Sequence, residues 1–238
     1  MQPVLIAENL YKTYGHGDIF RNVSFTLNPG ETVGLFGMSG SGKSTLGRCL
    51  IGLERPSGGS VSFCGERISK LSSRKFRKIQ PGMQMIFQHP EVSLDPRMRL
   101  IDSVTEPLRY HTKQKKETVF KELLPLIEAV GLRPEQFMSY PNQLSGGEIQ
   151  RAMMVRVYSL SPRLIVADEP TSMLDMSVQA QILTLMQKLQ EENNTSCVFI
   201  SHDPEVMQAM CDRVGILEQG RFTMSDPDTF AKHVQETL

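Results

Sequence analysis

The sequence predicts an α/β chain: a mainly parallel sheet around a glycine-rich loop, a small antiparallel sheet near the N-terminus, and an inserted block of helices. Three observations predict it. The apolar run Thr32–Phe36 leads into Gly-Met-Ser-Gly-Ser-Gly-Lys-Ser-Thr at Gly37–Thr45, and helical sequence begins at Leu46, so the order is strand, loop, helix. Further apolar runs at Met83–Phe87, Leu164–Ala167 and Cys197–Ile200 read as buried strands that each end in polar residues. From Glu91 to Tyr158 the pattern turns helical, with Val119, Leu123, Leu126, Ile127 and Val130 at helical spacing and Gly131 as a stop.

The remaining elements follow in order. Val4–Leu10 and Val23–Leu27 are expected as strands with one buried face, the second closed by Asn28-Pro29-Gly30. Tyr11 and Tyr14 fall in a loop between them; Tyr14 could stack on a nucleotide base or be an ordinary half-buried loop tyrosine. Gly52 to Gly59 reads as a loop, and Val61 and Phe63 as part of a further strand of the antiparallel sheet. Arg74-Lys75-Phe76-Arg77-Lys78 could meet anionic lipid or an acidic partner, but so short a run is more often a solvated helix face. Lys113, Lys115 and Lys116 are expected to begin the helix that follows, and Pro125 to bend it or mark a junction. A helix with Val178, Ile182, Leu185 and Leu189 on one face comes after Asp175. Asp203 caps a helix opened by Pro204. A hairpin around Glu218-Gln219-Gly220 and a short helix complete the chain.

Composition narrows the partners. The 238 residues suffice for one large domain with an insertion, and 26 Lys plus Arg balance 26 Asp plus Glu, so no basic field points to nucleic acid. The four cysteines are scattered without a Cys-x-x-Cys pair and read as reduced core thiols; the 14 methionines read as core filler. No apolar run approaches the ~18 residues of a membrane span and no signal peptide pattern opens the chain, so a cytosolic, at most peripheral, protein is expected.

The motifs carry the chemistry. In G-x-x-x-x-G-K-[ST], Gly37, Gly40 and Gly42 let successive N–H groups face phosphate oxygens, flanked by Ser39 and Ser41. Lys43 reaches the β- and γ-phosphates, and Ser44, followed by Thr45, is placed to ligate Mg²⁺. Leu144-Ser145-Gly146-Gly147-Glu148 opens a helix after two adjacent glycines and offers a second anion-ready N-terminus. Asp168-Glu169 emerges at the carboxyl end of a strand beside the first loop. There Asp168 would hold the Mg²⁺ shell and Glu169 would polarise a water attacking the γ-phosphate, although such a pair alone also serves as a helix cap. Gln88 ends another strand and can reach a metal or water. His202 ends a third, where a lone histidine is usually structural.

This order of segments resembles the ATP-binding cassette (ABC) family across essentially the whole chain. The elements are phosphate loop, strand-end glutamine, Leu-Ser-Gly-Gly signature, Asp-Glu strand end, Ser-x-Leu-Asp loop and strand-end histidine. The resemblance implies a P-loop NTPase core with a RecA-like, mainly parallel sheet, an N-terminal antiparallel β subdomain and an inserted α-helical subdomain. It implies one domain over 1–238, with 1–30 and 58–72 antiparallel, 31–57, 73–90 and 159–238 as the ATP-binding core, and 91–158 as the helical signature subdomain. It further implies a head-to-tail dimer, in which ATP on Gly37–Thr45 of one cassette is covered by Ser145, Gly146 and Gly147 of the other. Tyr14 then stacks on adenine, Gln88 senses Mg²⁺ and γ-phosphate, Asp175 lies across the dimer interface, and His202 contacts the γ-phosphate.

A narrower resemblance lies in Phe87-Gln88-His89-Pro90, Ser93-Leu94-Asp95-Pro96-Arg97 and Asp175–Leu183, which look like the ATPase subunits of bacterial oligopeptide, dipeptide and nickel importers. Met173, His89 and a short C-terminus depart from that pattern. The resemblance implies integral membrane permease subunits gripped around 91–110, a second ATPase chain, identical or different, and indirect service to an extracytoplasmic solute-binding protein. It places the chain on the cytoplasmic face of the inner membrane, driving uptake of a small peptide, nickel or a metal–chelator complex. Competing classes fit less well. A ribosome- or DNA-directed cassette protein lacks room for its second cassette or coiled coil, a GTPase lacks Asn-Lys-x-Asp, and a non-hydrolysing regulatory cassette leaves Glu169 and His202 without a task.

Overall fold

The computed structural model describes residues 2–15 and 17–237; the two end residues of the expected 1–238 domain, and Glu91 at the edge of the expected helical block as regards its side chain, lie outside what is described. The chain divides into two compact units: 1–85, 163–169 and 189–238 form the first, and 86–162 with 170–188 the second.

The first unit contains the sheet. Strands β1 (Leu5–Tyr14) and β2 (Gly17–Leu27) form a long antiparallel hairpin. Strand β3 (Thr32–Phe36) leads through the glycine loop into helix α1 (Lys43–Leu50). Strands β4 (Gly58–Phe63) and β5 (Glu66–Arg67) extend the antiparallel side, and the basic segment lies in α2 (Ser73–Ile79), which has no buried residue. Strands β6 (Met83–Ile86) and β7 (Leu164–Asp168) flank the second unit's main insertion in sequence.

Within that insertion, α3 (Leu100–Thr112), α4 (Lys116–Ala129) and α5 (Gly146–Tyr158) pack on one another, and Leu100, Val104, Val119, Leu123, Ile127 and Met154 on them are buried. Helix α6 (Met176–Asn193) begins in the second unit and ends in the first. The chain closes with β8 (Ser196–Ser201), α7 (Pro204–Met210), β9 (Arg213–Glu218), β10 (Arg221–Ser225) and α8 (Pro227–Thr237).

The strand order is β5-β4-β1-β2-β10-β9-β3-β8-β7-β6. Strands β9, β3, β8 and β7 run parallel, and the antiparallel side joins them through a parallel pairing of β2 with β10 at Arg21 and Arg221. This is the α/β architecture expected. Strands β7 and β8 are buried at every residue because they lie inside the sheet with both faces covered, which explains their unbroken apolar runs.

Helix α1 approaches this sheet closely at Gly47, where a Cβ would meet Ile200 Cδ1 at 2.9 Å and Val166 Cγ1 at 3.0 Å. A glycine inside a helix costs about 1 kcal/mol relative to alanine. Here the close seating of α1 on β7 and β8 offsets it, and that seating fixes the helix behind the phosphate loop.

Several expectations are corrected. Tyr11 and Tyr14 lie on β1, not in a loop, because ladder pairing continues through Lys12–Phe20, Thr13–Asp18 and Tyr14–Gly17. Register shifts between Ala7 and Thr13, with Asn9 and Asn22 at positive φ, break the alternation that would have announced a long strand. Lys113 closes α3 in a left-handed conformation instead of beginning α4, and Pro125 lies inside α4, so no junction between helices falls there. Strand β6 stops at Ile86, with Phe87 exposed. Gly146 and Gly147 form the first turn of α5 and do not precede it. Cys49, Cys197 and Cys211 are buried free thiols, and Cys64 is half-buried.

Candidate functional site

The glycine loop leaves β3 and enters α1 with Gly37, Gly40 and Gly42 all at positive φ. Gly42 is the N-cap of α1 at φ 100°, and a Cβ there would stand 2.5 Å from Ile19 Cγ2, so both conformation and space demand glycine. Lys43 is 5% exposed, and its ammonium donates to the carbonyls of Gly37 (2.7 Å) and Met38 (2.9 Å). Burial pushes this ammonium below its ordinary pKa, against the pull of Glu169 and Asp168. Ser41 Oγ is buried without a hydrogen-bond partner. An unmet hydroxyl, a desolvated ammonium and the N-terminus of α1 therefore share one loop, a set that fits the oxygens of a polyphosphate.

The neighbouring strands bring the acids. Asp168 ends β7 at 6% exposure and accepts a hydrogen bond from Ser44 Oγ at 2.9 Å. Burial raises its pKa, the Ser44 bond opposes this, and the nearby Glu169 adds to the rise. Glu169, the next residue, has φ 44°, a left-handed conformation that side chains rarely adopt. Its N–H donates to the carbonyl of Ile200 (3.0 Å) on β8, and its Oε1 lies 3.2 Å from Nδ1 of His202, just beyond the end of β8. Asp203 holds the turn after His202 by accepting from the N–H groups of Glu205 (2.9 Å) and Val206 (3.2 Å) at the start of α7.

Tyr14, also in the first unit, is 53% exposed and donates its hydroxyl to Glu54 Oε1, while the Lys12 ammonium stands 4.7 Å from the centre of its ring. Burial raises the pKa of Glu54, but its bonds to Lys12 and Tyr14, with Arg48 nearby, bring it below the ordinary value.

The second unit holds the other expected residues. Gln88 is half-buried in a bend after β6. Ser145 is the N-cap of α5 in a reciprocal pair with Glu148: Ser145 Oγ accepts from the Glu148 N–H at 3.4 Å, and Glu148 Oε2 accepts from the Ser145 N–H at 2.8 Å. Gly147 packs so tightly that a Cβ would meet Val178 Cγ1 at 2.9 Å. Asp175 caps α6 by accepting from the N–H groups of Ser177 and Val178, both at 3.1 Å.

Sequence reasoning missed Gln150 and Glu54. Gln150 is 2% exposed and donates to the carbonyl of Pro170 at 2.8 Å, supporting the turn that follows Glu169 in sequence. With Glu148 and Arg151 also polar, no local signal sets Gln150 apart. Glu54 gives no local signal, because its partners come from Lys12, Tyr14 and Arg48.

A family model described as ABC transporter matches residues 20–172. The chain belongs to the ABC transporter family. Among its relatives, the oligopeptide transport ATP-binding protein AppF of Bacillus subtilis is 44% identical over 84% of this chain and 61% of its own length. The di/tripeptide transport ATP-binding protein DppF of Pseudomonas aeruginosa is 39% identical over 93% of this chain and 72% of its own. The glutathione import ATP-binding protein GsiA of Salmonella paratyphi A is 43% identical over 87% of this chain and 33% of its own. The chain thus spans from one third to under three quarters of these relatives.

Among solved structures, the ABC transporter component cbiO1 of Clostridium perfringens superposes with TM-score 0.86 at 24% identity, covering 100% of this chain and 96% of that one. A dimeric ATP-binding cassette in a post-hydrolysis state bound to ADP and Pi superposes with TM-score 0.82 at 29% identity, covering 94% and 98%. The chain has the cassette fold.

Proposed function

We propose that this chain is the ATP-binding and ATP-hydrolysing subunit of a membrane importer for small peptides. The observation that carries the proposal is the gathering of Lys43, Ser44, Asp168, Glu169 and His202 at the carboxyl ends of the adjacent parallel strands β3, β8 and β7. The relatives' names speak of oligopeptides, di- and tripeptides and glutathione, so a small peptide is proposed ahead of nickel or a metal–chelator complex.

In this function the glycine loop and Lys43 bind the β- and γ-phosphates, and Tyr14 stacks on adenine. Ser44 and Asp168, with Gln88, would hold Mg²⁺; a hydroxyl beside a carboxylate is a donor set that fits a hard, oxygen-binding cation. The ion would supply positive charge that offsets the charge of the phosphates during transfer. Glu169 accepts a proton from the attacking water, and ADP and phosphate leave as products. His202, 3.2 Å from Glu169, orients its carboxylate and contacts the γ-phosphate. The N-terminus of α5 with Ser145, Gly146 and Gly147 covers the nucleotide of a second cassette, and Asp175 lies at that interface.

In this reading the first unit is the core with its antiparallel arm and the second is the helical signature subdomain, which takes in 170–188 as well as the 91–158 expected. The region around 91–110 meets the permease at the cytoplasmic face of the membrane, and no nucleic acid is involved. Closure of the dimer on ATP and its release after hydrolysis shift the permease between two access states.

The test measures phosphate release and ATP binding for the wild type and Glu169→Gln, and identifies the proteins extracted from membranes with the tagged chain. Turnover that vanishes in Glu169→Gln while binding survives, together with recovery of two multispanning subunits, is the expected result. Binding without turnover in the wild type would make the chain a regulatory cassette, and recovery of ribosomal proteins would reject the importer.

A further inference from the structure

Glu54 stands outside every motif, yet three separate connections meet at it. Its Oε1 accepts from the Tyr14 hydroxyl and lies 2.8 Å from the Lys12 ammonium, and its Oε2 lies 3.6 Å from Arg48 Nε. Its own N–H donates to the Arg48 carbonyl at 3.2 Å, and the N–H of Leu53 donates to the same carbonyl at 2.9 Å. Arg48 belongs to the last turn of α1, five residues after Lys43, or about 7.5 Å along the helix. Glu54 is therefore fastened by backbone and side chain to the helix whose other end carries the phosphate loop.

The same cluster organises the Tyr14 ring. The Lys12 ammonium donates to the Arg55 carbonyl at 2.8 Å and stands over one face of the ring, which leaves the opposite face for a flat ligand. Without these ties, a tyrosine that is 53% exposed at the end of a strand would sample several rotamers, and a base would have to order it on binding.

We infer that Glu54 is a positioning residue for the nucleotide base: through the Tyr14 hydroxyl and Lys12 it locks the aromatic platform at a set orientation relative to α1 and the phosphate loop. The inference rests on the reading of Gly37–Thr45 as an ATP site. A surface ion-pair cluster with no such role would contribute little to stability and nothing to ligand discrimination.

The experiment compares the affinities of ATP and inorganic triphosphate for the intact chain and for Glu54→Ala, Tyr14→Phe and the double variant. Triphosphate engages the loop but not the platform. Glu54→Ala and Tyr14→Phe are each expected to weaken ATP binding roughly three- to ten-fold while leaving triphosphate binding within about two-fold. In turnover, KM for ATP rises several-fold more than kcat falls. The double variant is expected to be no weaker than Glu54→Ala alone, because Glu54→Ala already cuts the connection that Tyr14→Phe removes.

Equal losses for ATP and triphosphate, losses that multiply in the double variant, or no loss in Glu54→Ala would each overturn the inference. Failure of the wild type to bind either ligand would instead reject the ATP-site reading, and this inference with it. A lower melting temperature without the split between ligands would mark Glu54 as merely structural.

Discussion

Glu169 carries its carboxylate on a backbone at φ 44°, and exchanging its side chain for alanine and for glycine isolates what that conformation costs. Both changes remove the carboxylate and its contact with His202 equally. Alanine keeps a Cβ in the left-handed region, at a cost of about 1–2 kcal/mol. Glycine escapes that cost but gives the unfolded chain more freedom, worth about 0.4–1 kcal/mol against the native state. The difference leaves Glu169→Gly more stable than Glu169→Ala by roughly 0.5–1 kcal/mol. For a chain of this size that is about 1–4 °C in melting temperature.

Calorimetry without nucleotide reads the difference, and urea midpoints at constant m confirm that it lies in stability. Ala180, exposed within α6, supplies the opposite sign: Ala180→Gly is expected to cost about 1 kcal/mol. Should Glu169→Ala prove as stable as Glu169→Gly, the left-handed strain at this position does not exist. Neither variant is expected to release phosphate.

Two further outcomes follow from the same corner of the fold. Burial holds the native pKa of Asp168 above its ordinary 3.8, so its share of stability is full below that value and is lost as pH rises through the raised native pKa. Asp168→Asn should therefore gain on the wild type in urea titrations as pH climbs from about 4 to 7, while losing the Mg²⁺-dependent part of nucleotide stabilisation; a gap that is flat with pH would refute the burial argument. Asp203→Ala removes the acceptor for two N–H groups at the start of α7 and should cost about 1–2 kcal/mol by the same denaturation assay, whereas a loss below a few tenths would show that water replaces the cap.

Much of the parallel core was legible because its signals are local. A strand, a glycine loop and a helix in succession need no distant partner to be recognised, and residues buried on both faces announce themselves as apolar runs. The antiparallel arm was read short, since bulges near Asn9 shift the ladder and Tyr11 to Tyr14 pair with residues whose alternation is also broken. The left-handed turn at Glu169 had no residue-type signal: glutamate does not favour that conformation, and the bond from its N–H to Ile200 of β8 holds the backbone there. Ser145-x-x-Glu148 does spell a helix cap, so the reciprocal bonds at α5 were readable from spacing alone. Glu54 was not, because Lys12 and Tyr14 lie some forty residues earlier in the chain.

The strand order has a consequence for how the protein is made. Strand β3 pairs on one side with β8 and on the other with β9, and both are made late, β8 beginning about 160 and β9 about 180 residues after Phe36. At roughly 5–20 residues per second, a buried strand with two unpaired edges waits on the order of ten seconds or more for its neighbours. Until then the nascent chain presents Val33 and Leu35 beside a glycine loop that has no sheet to anchor it. Fragments that end before Ser196 lack both neighbours of β3, so residues 196–218 decide whether Thr32–Phe36 can be paired and buried.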